Sequence, residues 1–125
     1  MVTGLVDTTV LVDMLRHYPP ALVWFREQPS PGITPIVWME VIAGAQNKTA
    51  QLQAAQLLAA LGMVYQTQDD VDWAMRQLLT YALSHGIGIH DCLIASTCYR
   101  LQLPLYTHNR KHFEPLLGSL AQQPY

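Results

Sequence analysis

The sequence predicts an α/β protein: a three-layer α/β/α sandwich with a mostly parallel central sheet. Short apolar segments rich in β-branched residues alternate along the chain with longer segments of helical spacing, and this alternation is typical of that class. Half of the 125 residues are hydrophobic and only 13% are charged, which excludes intrinsic disorder. The length suits one domain, residues 1–125.

Caps, prolines and glycines give the order of the elements. Residues 2–6 form an apolar strand, and Asp7, Thr8 and Thr9 offer a cap for the helix that follows. The later predictions, in chain order, are a helix opened by Pro19 and Pro20 and ended by Pro29, a strand at 33–34, helices at 36–46 and 48–61, a strand at 63–65, helices at 71–85 and 89–101, and a strand at 103–107. Residues 108–112 are predicted as a polar turn and 122–125 as a loose tail.

Charge and cysteine content restrict the partners and the compartment. Seven Lys and Arg against nine Asp and Glu give a net charge of −2, so contact with a nucleic acid must be local. Cys92 and Cys98 lack the spacing of a redox or zinc pair, and we expect core thiols in a reducing cytoplasm. Acidic residues interrupt every apolar run before the roughly 20 residues of a membrane span. A cytoplasmic protein without membrane association is predicted.

Three carboxylates stand in apolar surroundings. Asp7 follows the first strand, Glu40 interrupts an apolar helix, and Asp91 lies in the segment 87–94. An ionised carboxylate in such surroundings is costly unless it is paired or binds a metal, and few cations are near in sequence. Because ligands gather beyond the carboxyl ends of parallel strands, where Asp7 lies, a convergent acidic site is predicted.

A structural role remains open for each of these acids. Asp7 and Asp91 could cap the helices that begin at them, and Glu40 could be a solvated helix residue. For Asp13 the structural role is favoured over a place in the metal site. Arg16 follows at i+3, so a surface ion pair is predicted there.

Four segments of the chain resemble the PIN-domain ribonucleases, and most closely the VapC-type toxins of bacterial toxin–antitoxin pairs. The resemblance runs nearly from end to end. The similar segments, in the order that the family has them, are residues 5–13, 38–41, 90–97 and 107–113.

The resemblance implies a metal-dependent ribonuclease with a PIN-like fold. It places Asp7, Glu40 and Asp91 around Mg²⁺ or Mn²⁺, a choice that oxygen ligands favour independently. Many PIN nucleases carry a fourth aspartate where this chain has Asn109, so the site loses one negative charge and a second metal position is in doubt.

Other polar residues have expected roles around this centre. Thr9 or Thr107, with Asn109, would orient waters in the outer shell of the metal. Arg110 and Lys111 are the only adjacent cations of the chain and are candidates for binding phosphate, with an ordinary solvated turn as the alternative. His90 is expected to point away from the acids.

The resemblance also implies the partners: an RNA substrate and a cognate antitoxin protein. The low charge and the three tryptophans further suggest a homodimer that receives an antitoxin segment near the acids. The main alternative is a catalytically inactive PIN-like module that binds RNA or a protein, although such a module gains nothing from buried like charges.

Overall fold

A five-stranded sheet, with all strands parallel, forms the centre of the molecule. The computed structural model describes all 125 residues. The strands, in chain order, are β1 (Gly4–Val6), β2 (Pro31–Ile33), β3 (Gly62–Met63), β4 (Leu105–Tyr106) and β5 (Ala121–Gln122). Their order across the sheet is β3-β2-β1-β4-β5. The predicted three-layer α/β/α class is therefore confirmed, and the sheet is entirely parallel.

Seven helices connect and cover these strands. In chain order they are α1 (Thr8–Leu15), α2 (Pro19–Arg26), α3 (Pro35–Ala43), α4 (Lys48–Leu58), α5 (Gln68–His85), α6 (Ile89–Leu101) and α7 (Arg110–Leu117). Thr34 caps α3, because its hydroxyl accepts from the Val37 N–H at 3.4 Å. None of the helices combines the length and the apolar character that a membrane crossing requires.

The strand order places the chain's first turn at a switch point. From the central strand β1 the sheet continues to β2 on one side and to β4 on the other. Asp7 follows β1 directly, and its N–H donates to the Tyr106 carbonyl of β4 at 3.0 Å. Thr107 follows β4. The carboxyl ends of two neighbouring strands therefore bring Asp7 and Thr107 together, 100 positions apart in the sequence.

The core lies on both faces of the sheet. The central strand β1 is buried throughout, and Phe113 of α7 is the largest side chain among the fully buried residues. Cys92 and Cys98 are unpaired and buried, as predicted for core thiols.

The carboxyl-terminal part of the chain corrects the predicted turn. Residues 108–112 are not a simple turn, because α7 begins at Arg110 and continues through Pro115 to Leu117, where Gly118 caps it. Pro115 resembles a helix breaker in the sequence, yet Phe113, Leu116 and Leu117 recur at helical spacing and are buried. Glu114 lies in the same helix, where it pairs with Arg110 at 2.6 Å.

The tail is ordered by pairing and by an aromatic contact. Residues 121–122 pair with β4 as the fifth strand. The Tyr125 hydroxyl donates to Asp13 at 2.6 Å, and its ring packs against Trp24 and His108. The predicted loose tail is therefore wrong. So is the predicted ion pair of Asp13 with Arg16, since the Asp13 carboxylate faces the tail.

Helix ends differ from the predictions by about one turn. The helices predicted over 36–46 and 48–61 end at Ala43 and Leu58, and β3 begins at Gly62. The helix predicted from residue 71 begins three residues earlier, because Thr67 and Asp70 form a reciprocal capping box.

Asp70 also forms an ion pair with Arg100, in which the Asp70 carboxylate is buried and the Arg100 side chain is partly exposed. The Asp70 side chain is 3% exposed, and Arg100 Nε lies 2.9 and 3.0 Å from its two oxygens. The pair joins α5 to α6, so it supports the helix that carries Asp91.

We expect Arg100→Gln to destabilise the protein by about 2 kcal/mol, since Asp70 would stay buried without its cation. Breaking a fully buried pair costs roughly 3–5 kcal/mol, and the partial exposure of Arg100 reduces this. Urea unfolding measures the change. Arg76→Gln is the matched control, because Arg76 is exposed on α5 and forms no ion pair. Equal stabilities of the two variants would contradict the role of the pair.

Candidate active site

Asp7 is a buried carboxylate at the carboxyl end of the central strand. It occupies the cap position of α1, yet its side chain makes no capping hydrogen bond, so the predicted alternative role as an N-cap is not what fixes it. Its Oδ2 instead accepts from the hydroxyls of Thr107 at 2.7 Å and Thr9 at 3.2 Å. The residue is 5% exposed and takes part in none of the chain's five ion pairs. A buried acid without a cation is a costly arrangement for stability alone.

Burial raises the pKa of Asp7 above its ordinary value. The negative charge of Glu40 raises the pKa further, while hydrogen bonds from Thr107, the Thr8 backbone and Thr9 oppose the rise. Desolvation is the largest of these effects. The charged form of Asp7 is therefore disfavoured until a cation is near.

This pKa shift predicts how the stability of the metal-free protein depends on pH. The folded state binds the Asp7 proton more tightly than the unfolded state does, so the free energy of unfolding falls as pH rises from about 4 through the folded-state pKa. Asp7→Asn removes this contribution. Urea unfolding in EDTA between pH 4 and 7 should give a stability difference between parent and variant that changes with pH in this direction. A constant difference would contradict the raised pKa.

Glu40 lies on α3 with both carboxylate oxygens engaged by other elements. Thr8 donates to Oε1 at 3.0 Å, and Oε2 lies 3.2 Å from Nδ1 of His90 on α6. The side chain is 29% exposed. Glu40 is therefore not the freely solvated helix residue of the predicted alternative. The expectation that His90 points away from the acids is wrong, because its ring faces Glu40.

Asp91 lies in the first turn of α6. Its Oδ2 accepts from the Gly88 N–H at 3.1 Å, so the capping role left open by the sequence is real. The same oxygen lies 3.2 Å from Nδ1 of His112, a residue of α7. Asp91 thus joins the start of one helix to the side of another, and capping does not use its whole carboxylate.

His112 links Asp91 to Asn109. Its Nδ1 lies 3.2 Å from the Asp91 carboxylate and 3.1 Å from the amide group of Asn109. The Asn109 atom at this distance is its amide nitrogen Nδ2, which donates to Nδ1 when that ring nitrogen carries no proton. The side-chain oxygen of Asn109 has no hydrogen-bond partner within the chain.

Two threonines connect Asp7 to the turn that carries Asn109. The Asn109 N–H donates to the Thr107 hydroxyl at 2.9 Å, and the His108 N–H donates to the Thr9 hydroxyl at 3.2 Å. Each hydroxyl in turn donates a hydrogen bond to Asp7. Thr9 and Thr107 therefore orient the buried carboxylate through two parallel chains of hydrogen bonds.

Two of the three acids line an open cavity. This cavity has a volume of about 480 Å³ and is lined by Glu40, Gly88, Ile89, His90, Asp91 and His112. Asp7 does not line it, but Thr8, the next residue in the chain, donates a hydrogen bond to Glu40. No three Asp, Glu, His or Cys side chains are grouped closely enough to hold one metal ion in this arrangement. Histidine contacts occupy oxygens of the two acids that line the cavity.

The two candidate phosphate-binding cations differ in their surroundings. Arg110 forms the ion pair with Glu114 along α7, whereas Lys111 is exposed and takes part in no ion pair. Neither lines the acidic cavity.

The site residues whose contacts the sequence did not predict are the histidines His90 and His112. Each lies one or three residues from a candidate site residue, but only the packing of α6 and α7 shows which way its ring points.

A family model described as the PIN domain matches residues 4–115 of the chain. Ribonuclease VapC19 of Mycobacterium tuberculosis is 35% identical over 127 residues, covering 97% of this chain and 98% of that protein. The match therefore includes the whole candidate site.

Solved structures of similar fold include toxin–antitoxin assemblies. A toxin–antitoxin complex from Klebsiella pneumoniae superposes with a TM-score of 0.82 at 24% identity, covering 98% of both chains. The structure of VapBC-1 from nontypeable Haemophilus influenzae superposes with a TM-score of 0.70 at 25% identity, covering 91% of each chain. These likenesses support the fold over its whole length.

Proposed function

The chain belongs to the PIN-domain family, and on that premise we propose that it is a metal-dependent endoribonuclease, the toxin of a toxin–antitoxin pair. The observation that carries the proposal is Asp7, a buried carboxylate beside a second acid and without a cationic partner. The family match and the ribonuclease relative support the nuclease activity. We place the 125 residues in one nuclease domain that acts in the cytoplasm.

The donor set suits Mg²⁺ or Mn²⁺. Asp7, Glu40 and Asp91 offer hard carboxylate oxygens, which these ions prefer. A bound ion would lower the pKa of a water and stabilise charge on the phosphoryl oxygens. In the metal-free protein His90 contacts Glu40 and His112 contacts Asp91. Metal binding would therefore replace these imidazole contacts with contacts to the metal.

The remaining site residues would position substrate and solvent. Thr107 and Thr9 both donate to Oδ2 of Asp7, so they hold its carboxylate in one orientation. The side-chain oxygen of Asn109 has no partner within the chain, so it could accept a hydrogen bond from a water bound to the metal. Lys111 is the better of the two adjacent cations for phosphate, since Arg110 is paired.

An antitoxin protein is the proposed partner, since the similar structures include toxin–antitoxin complexes.

We also propose a homodimer formed through an exposed apolar face of α5 and the start of α6. Met75, Leu79, Leu83 and Ile89 are each more than 60% exposed there, a large apolar surface for a protein with few charges. Light scattering at tens of micromolar should show the dimer, and a monomer would contradict it.

Incubation of the purified protein with total RNA, followed by mapping of the new 5′ ends, tests the proposed activity. We expect discrete cleavage sites that require Mg²⁺ or Mn²⁺, and growth arrest on expression without the antitoxin. An inactive binding module would retain RNA in a binding assay and release no new ends, with or without metal.

A further inference from the structure

A second cavity adjoins the acidic one and shares Glu40 with it. This cavity, which we call the α1–α4 groove, has a volume of about 320 Å³ and lies between the second half of α1, the end of α3 and the first half of α4. Glu40 lines both cavities. Anything bound in the α1–α4 groove therefore lies next to the proposed catalytic centre.

The groove has an apolar floor and an amide rim. Val12, Leu15, Val41 and Ala54 contribute apolar surface, and Gln46, Asn47 and Gln53 contribute amides. The Asn47 side-chain oxygen accepts from the Ala50 N–H at 2.8 Å, which leaves its NH₂ group free. The exposed glutamines form no side-chain hydrogen bond within the chain, so their donors and acceptors are available. An apolar surface edged by amides suits a nucleobase, which presents a π-face and a hydrogen-bonding edge.

Arg16 supplies the charge of the groove. It is exposed, forms no ion pair, and is the only Lys or Arg on the lining of either cavity. The chain has a net charge of −2, so phosphate attraction has to come from individual cations such as this one.

We propose that the α1–α4 groove binds the nucleotide next to the scissile phosphate of a single-stranded RNA, with Arg16 on that nucleotide's phosphate and the amides on its base edge. The proposal rests on the proposed nuclease activity. An endonuclease substrate continues on both sides of the cleaved bond, so its neighbouring nucleotides must lie on surfaces that adjoin Glu40. Ligand sites have volumes of roughly 300 to 1,000 Å³, so a groove at the small end suits one nucleotide better than a helix of a protein partner.

Binding of a labelled pentanucleotide of mixed sequence tests the groove without cleavage. All proteins carry Asp91→Asn, and fluorescence anisotropy gives Kd at several salt concentrations. Arg16→Gln should weaken binding roughly tenfold at low salt and lower the slope of log Kd against log salt by about 0.7, the value for one lost phosphate contact on a single strand. Arg26→Gln is the matched control, since Arg26 is exposed on α2 and lines neither cavity.

Cleavage mapping with Asp91 intact tests the base contacts. Gln46→Ala and Gln53→Ala should relax the nucleotide preference at one position beside the cleaved bond, with melting temperatures unchanged. Equal Kd and salt slope for Arg16→Gln and Arg26→Gln would overturn the inference. Weaker antitoxin binding by Arg16→Gln with RNA binding unaffected would also overturn it, and would assign the groove to the protein partner. The pentanucleotide assay does not depend on cleavage, so it decides on the groove even where the nuclease proposal fails.

Discussion

Asp7→Asn, Glu40→Gln and Asp91→Asn are each expected to lower the rate of RNA cleavage by roughly a hundredfold or more, equivalent to about 2.7 kcal/mol of activation free energy. Each change removes one negative charge from the proposed metal site and leaves the side-chain shape nearly the same. Single-turnover cleavage of a mapped RNA measures the effect.

Two matched variants control for these losses. Asp72→Asn neutralises an exposed carboxylate on α5, outside the site, and should leave the rate unchanged. Asn109→Ala should cost less than the acids, about tenfold, because the amide orients groups around the metal and carries no charge. Cleavage by Asp91→Asn within threefold of the parent would contradict its place in the metal shell.

Removal of divalent metal is expected to abolish cleavage altogether. No lysine or arginine lines the acidic cavity, so no other cation there can stabilise the charge on the phosphoryl oxygens. EDTA should stop the reaction, and added Mg²⁺ or Mn²⁺ should restore it. Undiminished cleavage in EDTA would exclude the proposed mechanism while leaving the fold assignment intact.

The sequence was sufficient for the fold class because its signals are local. A strand, a capping residue at Thr67, a helix and a terminating glycine at Gly86 follow one another directly in the sequence. Gly86 adopts the left-handed conformation that ends α5. The same locality explains the errors. Pro115 resembles a helix breaker, and nothing near Tyr125 in sequence shows that Asp13 lies beside it.

The candidate site was only partly predictable for the same reason. The three acids are conspicuous because each stands in an apolar segment, and the structure brings Asp7 close enough to Glu40 for that charge to raise the Asp7 pKa. The histidine contacts depend on how α6 and α7 pack against α3. Long-range contacts of this kind have no sequence pattern, so His90 was expected to face the wrong way.

Melting scans with EDTA and with Mn²⁺ test most directly the proposal that Asp7, Glu40 and Asp91 bind one divalent cation together. Mn²⁺ at ten times its dissociation constant should add about 1.4 kcal/mol to the parent and raise its melting temperature by roughly 5 °C. Asp91→Asn should lose this increment, whereas Asp72→Asn should keep it. Asp7→Asn in EDTA should melt at or above the parent, because it removes the desolvated charge. An equal Mn²⁺ shift in the parent and in Asp91→Asn would contradict the account.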